Sequence, residues 1–154
     1  MLPADIYESQ KMTTSSMGPL PLMRMAEVAQ HITRGEMPRI IALSGDLGAG
    51  KTTLVKEILK QLGVGEEVSS PTFGIINEYE TADHRKVCHS DWYRIKNAEE
   101  LLDTGIQEYL HNPDCFVLIE WPEVGEALLN GEEALFINIE HAGEERVYHL
   151  ELRH

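Results

Sequence analysis

The stretch Gly45-Asp46-Leu47-Gly48-Ala49-Gly50-Lys51-Thr52-Thr53 carries the most specific chemistry in the chain. Its spacing, G-x-x-x-x-G-K-T, is that of a phosphate-binding loop, in which glycines let the backbone turn tightly and aim several N–H groups into one nest. The positive end of the following helix adds to the pull on an anion. Gly45, Gly48, Ala49, Gly50, Lys51, Thr52 and Thr53 are therefore the expected nucleotide-binding residues. Lys51 is expected to reach the terminal phosphates and the Thr52 hydroxyl to ligate magnesium. Glycine makes up about 7% of residues, so a chance match at every fixed position arises in under about 1% of chains this long.

Phosphate chemistry at such a loop needs acidic groups at the carboxyl ends of neighbouring core strands. Two runs offer them. Phe116-Val117-Leu118-Ile119 ends on Glu120, and Val87-Cys88-His89-Ser90 ends on Asp91. Glu120 is expected to hold magnesium or to orient the attacking water, and Asp91 to bind the metal directly or through water. For both, the alternative is an ordinary carboxylate at a strand end. In Ser69-Ser70-Pro71-Thr72-Phe73 the proline stiffens the loop, and Thr72 can offer its hydroxyl to the γ-phosphate or the metal as ordered switch loops do; a plain turn is the alternative. Trp121, next to Glu120, either packs at the switch region, meets a partner or is a buried structural residue. His89 and Asp91 share a strand face, but no further clustered ligands support a zinc site. Neither a Ser-His-Asp triad nor a catalytic cysteine is suggested.

The elements that would hold these groups read as strands alternating with helices. Leu22, Met25, Ala26, Ala29 and Ile32 follow helical spacing, and Arg34-Gly35-Glu36 with Pro38 ends that helix. Arg39 to Leu43 is an uninterrupted apolar run suited to a parallel strand covered on both faces. A helix from about Lys51 to Leu62 follows the loop and stops at Gly63-Val64-Gly65. Gly74 to Tyr79 and Val87 to Asp91 are expected strands. A helix beginning at Asn97 or Ala98 breaks near Thr104-Gly105 and resumes from Ile106 to Leu110. Cys115 to Glu120 is the most apolar strand, followed by a short helix from Glu123 to Leu129. Ala134 to Glu140 and Arg146 to Leu152 form an alternating hairpin. The fold class is α/β: a P-loop NTPase-type mixed sheet flanked by helices, with a C-terminal β-hairpin.

The 154 residues, 42% hydrophobic and 25% charged, suit a single domain with a real core. No apolar run approaches membrane-spanning length, and the first twenty residues carry Asp5, Glu8 and Lys11 without the apolar core of a signal peptide. Cys88 and Cys115 read as small buried residues in a reducing, cytoplasmic setting. The net charge of −13 repels nucleic acid, so any role in an RNA pathway would run through a protein partner. Residues 1–20 show no sustained periodicity and read either as a loose N-terminal extension or as a short strand or loop beside the nucleotide base. Residues 21–154 are the expected single domain.

Taken in order, G-D-L-G-A-G-K-T-T, S-S-P-T-F, H-S-D-W-Y-R, T-G-I-Q-E-Y and L-I-E-W resemble the TsaE family, also called YjeE, from about Leu22 to Leu152. Trp92 stands where that family usually has leucine, a proline common before the last strands is missing from Asn130-Gly131-Glu132, and residues 1–20 match poorly. The resemblance implies an ATPase that serves the formation of threonylcarbamoyladenosine beside the tRNA anticodon. It would bind the TsaD–TsaB pair and use ATP hydrolysis to reset that complex between turnovers, with tRNA met only through those partners. It further implies that Gly48 to Thr53 hold the phosphates, that Thr52 and Glu120 hold Mg²⁺, that Thr72 and Asp91 are switch-type groups and that Trp121 lies beside the catalytic carboxylate. Arg146 is expected to touch the nucleotide. The N-K-x-D pattern that reads guanine is absent, which favours ATP over GTP. The rival readings are a small-molecule P-loop kinase, a regulatory GTPase and a nucleotide-dependent binding module. No internal arginine finger stands out, and lacking one depresses hydrolysis by ~10³ to 10⁵. Turnover is therefore expected to be slow alone and stimulated by partner proteins.

Overall fold

A computed structural model describes residues 13–65 and 76–154. Among them are seven strands in one mixed sheet: β1 (Thr13–Pro21), β2 (Ile40–Gly45), β3 (Ile76–Glu80), β4 (Lys86–Asp91), β5 (Cys115–Glu120), β6 (Ala134–Ala142) and β7 (Glu145–Arg153). Their spatial order is β1-β7-β6-β2-β5-β4-β3. The middle strand, β2, runs parallel to β5 and β6, and β4 runs parallel to β5. The outer pairings, β1 with β7, β7 with β6 and β3 with β4, are antiparallel.

Burial follows this order. All six residues of β5 are buried, as are Ile40 to Leu43 of β2, because helices cover both faces there. In β7 the burial alternates, with Tyr148, Leu150 and Leu152 inward and Val147, His149 and Glu151 partly exposed, because only one face is covered.

On that covered face lie α1 (Met25–Thr33) and α2 (Lys51–Gln61). They set Val28, Ile32, Leu54, Val55 and Ile58 against Ile41, Leu43, Leu118, Ile137 and Leu150. The carboxyl end of α2 closes as a Schellman motif: Gly63, at φ 77°, donates to Lys60 O (3.1 Å), and Val64 donates to Leu59 O (3.0 Å). On the opposite face, α3 (Ala98–Leu102), α4 (Ile106–Leu110) and a 3₁₀ segment (Pro122–Leu129) cover Ala42, Cys88, Val117 and Ile119. Asn97 caps α3 by accepting the Glu100 N–H at 2.9 Å.

Several expected elements shift in detail. Of residues 1–20, undecided in the sequence between extension and strand, the described part from Thr13 onward pairs along β7 as β1, which continues to Pro21. The helix expected from Leu22 opens as one 3₁₀ turn, Leu22–Arg24, before α1 begins at Met25. The segment after Trp121 is 3₁₀ rather than α-helical, since Gly125 breaks it at φ −127°, ψ 21°. Gly125 is where Trp92 finds room: a Cβ there would stand 2.9 Å from the indole and 2.2 Å from Leu101. Trp92, in the position where leucine was expected, is thus buried, with its Nε1–H donated to Ser90 Oγ at 2.8 Å. Cys88 and Cys115 are buried and not disulfide-linked. Thr72 and its proline-stiffened loop lie outside the described residues. Among the described residues, no helix is long and apolar enough to cross a membrane.

Candidate functional site

The carboxyl ends of β2, β5 and β4 meet at one edge of the sheet, where Leu43 and Asp91 both pair with Glu120. From β2 the chain enters the glycine loop. Gly45 sits at φ 143°, and a Cβ there would lie 2.6 Å from the Ile139 carbonyl of β6, so the loop base is pressed onto the neighbouring strand. Gly50, at φ 112°, turns the chain into α2 in a conformation that disfavours any side chain. The Ala49 N–H closes the loop onto Asp46 O at 3.0 Å.

Lys51, the first residue of α2, is only 5% exposed. Its Nζ donates to Gly45 O at 2.5 Å and Asp46 O at 3.0 Å, and stands 4.1 Å from the centre of the Trp121 ring. Burial pushes the Lys51 pKa down, and the carboxylates of Glu120, Glu123, Asp91 and Asp46 pull the other way. An ammonium held by two carbonyls and one ring face can exchange these neutral partners for an anion.

Thr52 donates its hydroxyl to Glu120 Oε1 at 2.7 Å. The other carboxylate oxygen, Oε2, lies 2.6 Å from His89 Nε2. A carboxylate only accepts hydrogen bonds, so His89 donates from Nε2. Its Nδ1, fully buried, has no hydrogen-bond partner among the described residues. Glu120 itself is 2% exposed, so both of its oxygens are aimed by neighbours rather than by water. Asp91 is half-buried beside it and accepts the Tyr93 N–H at 3.0 Å. Burial pushes the Asp91 carboxyl above the ordinary carboxylate range; the Tyr93 N–H opposes this, and the Glu120 charge adds to it.

Trp121 stands at φ 58°, ψ 61°, a left-handed conformation that costs a bulky residue roughly 1–2 kcal/mol. Contacts with Lys51 and with Tyr93, whose ring centroid is 4.9 Å away, hold it there. Trp121 is partly exposed rather than a buried structural residue, and the Thr72 loop, the switch region it was expected to pack against, lies outside the described residues. Gly48, Gly50, Lys51, Thr52, Thr53, Asp91, Glu120 and Trp121 line one open cleft of about 290 Å³. A larger cavity of about 630 Å³, lined by Arg39, Arg85, Phe116 and Glu132 among others, lies at the opposite ends of these strands and gathers none of the expected site residues among those described.

Arg146 stands apart from the cleft lining. It is 7% exposed and directs its guanidinium at the backbone carbonyls of Ala49 (3.1 Å) and Gly48 (3.5 Å). His89 is the residue that the sequence did not mark as Glu120's partner. The H-x-D spacing was the available signal, but the register that lays β4 beside β5 is not written in either strand. The donor set of one hydroxyl and one or two carboxylates suits magnesium, which takes few protein ligands and completes its shell with phosphate and water. Among the described residues, no three His, Cys, Asp or Glu side chains converge as zinc would require.

This geometry fits what the chain is similar to. The family profile described as "Threonylcarbamoyl adenosine biosynthesis protein TsaE" matches residues 22–148. The Haemophilus influenzae protein named tRNA threonylcarbamoyladenosine biosynthesis protein TsaE is 40% identical over 107 residues, covering 70% of this chain and 66% of that protein. The Bacillus subtilis protein of the same name is 41% identical over 106 residues, 69% of this chain and 64% of its own length. For the Rickettsia typhi protein of that name the figures are 42% over 91 residues, 58% and 61%. The matched stretch thus spans less than two thirds of these relatives. The crystal structure of Bacillus subtilis YdiB superposes with a TM-score of 0.65 at 30% identity, covering 92% of this chain and 86% of that one. The sheet, the glycine loop and the family match agree on a P-loop NTPase-type α/β fold, and the chain belongs to the TsaE family.

Proposed function

We propose that this protein is a magnesium-dependent ATPase of the cytoplasm, required for forming threonylcarbamoyladenosine beside the tRNA anticodon. It acts by binding the TsaD–TsaB pair and hydrolysing ATP to reset that complex. The observation that carries this reading is the convergence of Lys51 and the Thr52–Glu120 pair on one cleft at the mouth of the glycine loop. The relatives' shared name supplies the pathway.

In this reading the loop N–H groups from Gly48 to Thr53, apart from the Ala49 N–H engaged by Asp46 O, bind the β- and γ-phosphates, and Lys51 trades its carbonyl partners for phosphate oxygens. Thr52 and Glu120 would hold Mg²⁺, with Asp91 beside them; when bound, the ion would neutralise the charge that develops on the phosphates. His89 keeps Oε2 of Glu120 in place, so the carboxylate does not swing as nucleotide enters. Thr72 remains the proposed switch hydroxyl. Among the described residues, the cleft lining includes no arginine, which accords with slow turnover until a partner supplies the missing charge. The net charge of −13 favours leaving tRNA to the partner proteins.

Asp91→Asn tests the electrostatics. A carboxyl whose folded pKa is raised gives stability at acid pH that is lost as pH rises through that pKa. The amide oxygen still accepts the Tyr93 N–H, so the variant is expected to melt a few degrees higher near neutral pH while hydrolysing ATP more slowly. Thermal melts across pH, with phosphate-release assays, check both halves. The function itself is tested by nucleoside analysis of tRNA from cells depleted of this protein. Threonylcarbamoyladenosine is expected to fall and to return with the wild-type chain but not with Lys51→Ala. Unchanged levels on depletion would contradict the proposal.

A further inference from the structure

Among the described residues Arg146 makes four hydrogen bonds, all to backbone carbonyls. Nε donates to Ala49 O (3.1 Å), Nη2 to Gly48 O (3.5 Å), and Nη1 to Glu145 O (2.9 Å) and Glu144 O (3.2 Å). The planar fork thereby ties the β6–β7 turn to the back of the glycine loop. Within a peptide unit the C=O and the next N–H point to opposite sides. Drawing the Ala49 carbonyl outward turns the Gly50 N–H inward, toward the cleft. The Gly48 carbonyl bears the same relation to the Ala49 N–H, but that donor is engaged by Asp46 O. Gly50 N–H is therefore the donor whose aim depends on Arg146.

The charge of the guanidinium matters as well as its shape. Arg146 is 7% exposed, yet among the described residues it forms no ion pair with a carboxylate. Carbonyl dipoles offset part of the desolvation of a buried cation but leave its charge uncancelled. An anion on the far side of the loop would complete the compensation.

We propose that Arg146 is a positioning residue for nucleotide binding: through the Ala49 carbonyl it holds the Gly50 N–H toward the phosphate, and its charge strengthens the anion site from behind. This rests on the reading of the loop as the phosphate site, and it replaces direct nucleotide contact as the role of Arg146.

The test compares wild type, Arg146→Lys and Arg146→Gln for binding of Mg²⁺–ADP by calorimetry, with amide NMR following Gly50. On ADP binding the wild-type Gly50 amide proton is expected to move downfield. In Arg146→Gln, affinity is expected to drop about tenfold or more and the Gly50 shift to shrink. Arg146→Lys keeps the charge without the fork, so it is expected to recover part of the affinity but not the Gly50 shift. Wild-type affinity and an unchanged Gly50 shift in both variants would overturn the role of Arg146 and leave the phosphate site standing. A wild-type chain that fails to bind ADP would overturn both. Should the variants fail to fold, the scalar coupling across the Arg146 Nε–H···O=C Ala49 bond is read in the wild type with ADP bound; its presence supports the proposal and its absence overturns it.

Discussion

Lys51→Ala is expected to weaken ATP and ADP binding about 100-fold or more, since each charge-assisted hydrogen bond to phosphate contributes about 1.5–3 kcal/mol and the ammonium can make more than one. The fold should survive. Burial lowers the Lys51 pKa, so the folded chain disfavours the charged ammonium that it holds. Removing it loses the contacts to Gly45 O and Asp46 O but also relieves that desolvation. The variant should therefore melt close to wild type while titrating poorly with nucleotide. Calorimetry with Mg²⁺–ADP and a thermal melt on one preparation separate the two effects. Unchanged affinity would remove Lys51 from the phosphate site and leave it a structural role, through its contacts with Gly45 O, Asp46 O and Trp121.

Glu120→Gln is expected to slow hydrolysis about 100-fold or more at saturating ATP while much of the nucleotide binding remains. The substitution keeps the shape of the site. Thr52 can still donate to the amide oxygen, and the amide nitrogen meets His89 Nε2 once the imidazole carries its proton on Nδ1. Among the described residues that nitrogen has no partner, so changing tautomer breaks no hydrogen bond with them. What disappears is the negative charge that would hold the metal or orient water. Phosphate release measured alongside ADP titration gives the split. Normal turnover would move the catalytic role to Asp91, the neighbouring carboxylate on β4.

Much of this site could be read from the sequence because its parts are local. The glycine loop lies between β2 and α2, and Cys115 to Glu120 is bounded by Asn112-Pro113-Asp114 and by Trp121, so the expected strand and β5 coincide. The interruption at Thr104-Gly105 was equally legible, since Gly105 takes φ 82° between α3 and α4. Relations between distant segments were not. β1 gave no alternation in residue type because its inward-facing Ser15 is polar and the register shifts at Gly18-Pro19, which leaves Met17 as its buried apolar side chain at 2% exposure. His89 acquires its meaning only when β4 is laid in register beside β5. Arg146 addresses carbonyl oxygens, which every residue carries, so no residue type at positions 48 or 49 announces the contact.

The most direct measurement is ATP hydrolysis by the purified chain, alone and with the TsaD–TsaB pair, with GTP and small phosphoryl acceptors for comparison. Slow hydrolysis alone, stimulation by the pair and phosphate released to water are the expected result. Phosphate appearing on a small acceptor would make this protein a kinase, and fast hydrolysis indifferent to the partners would contradict the proposed resetting role.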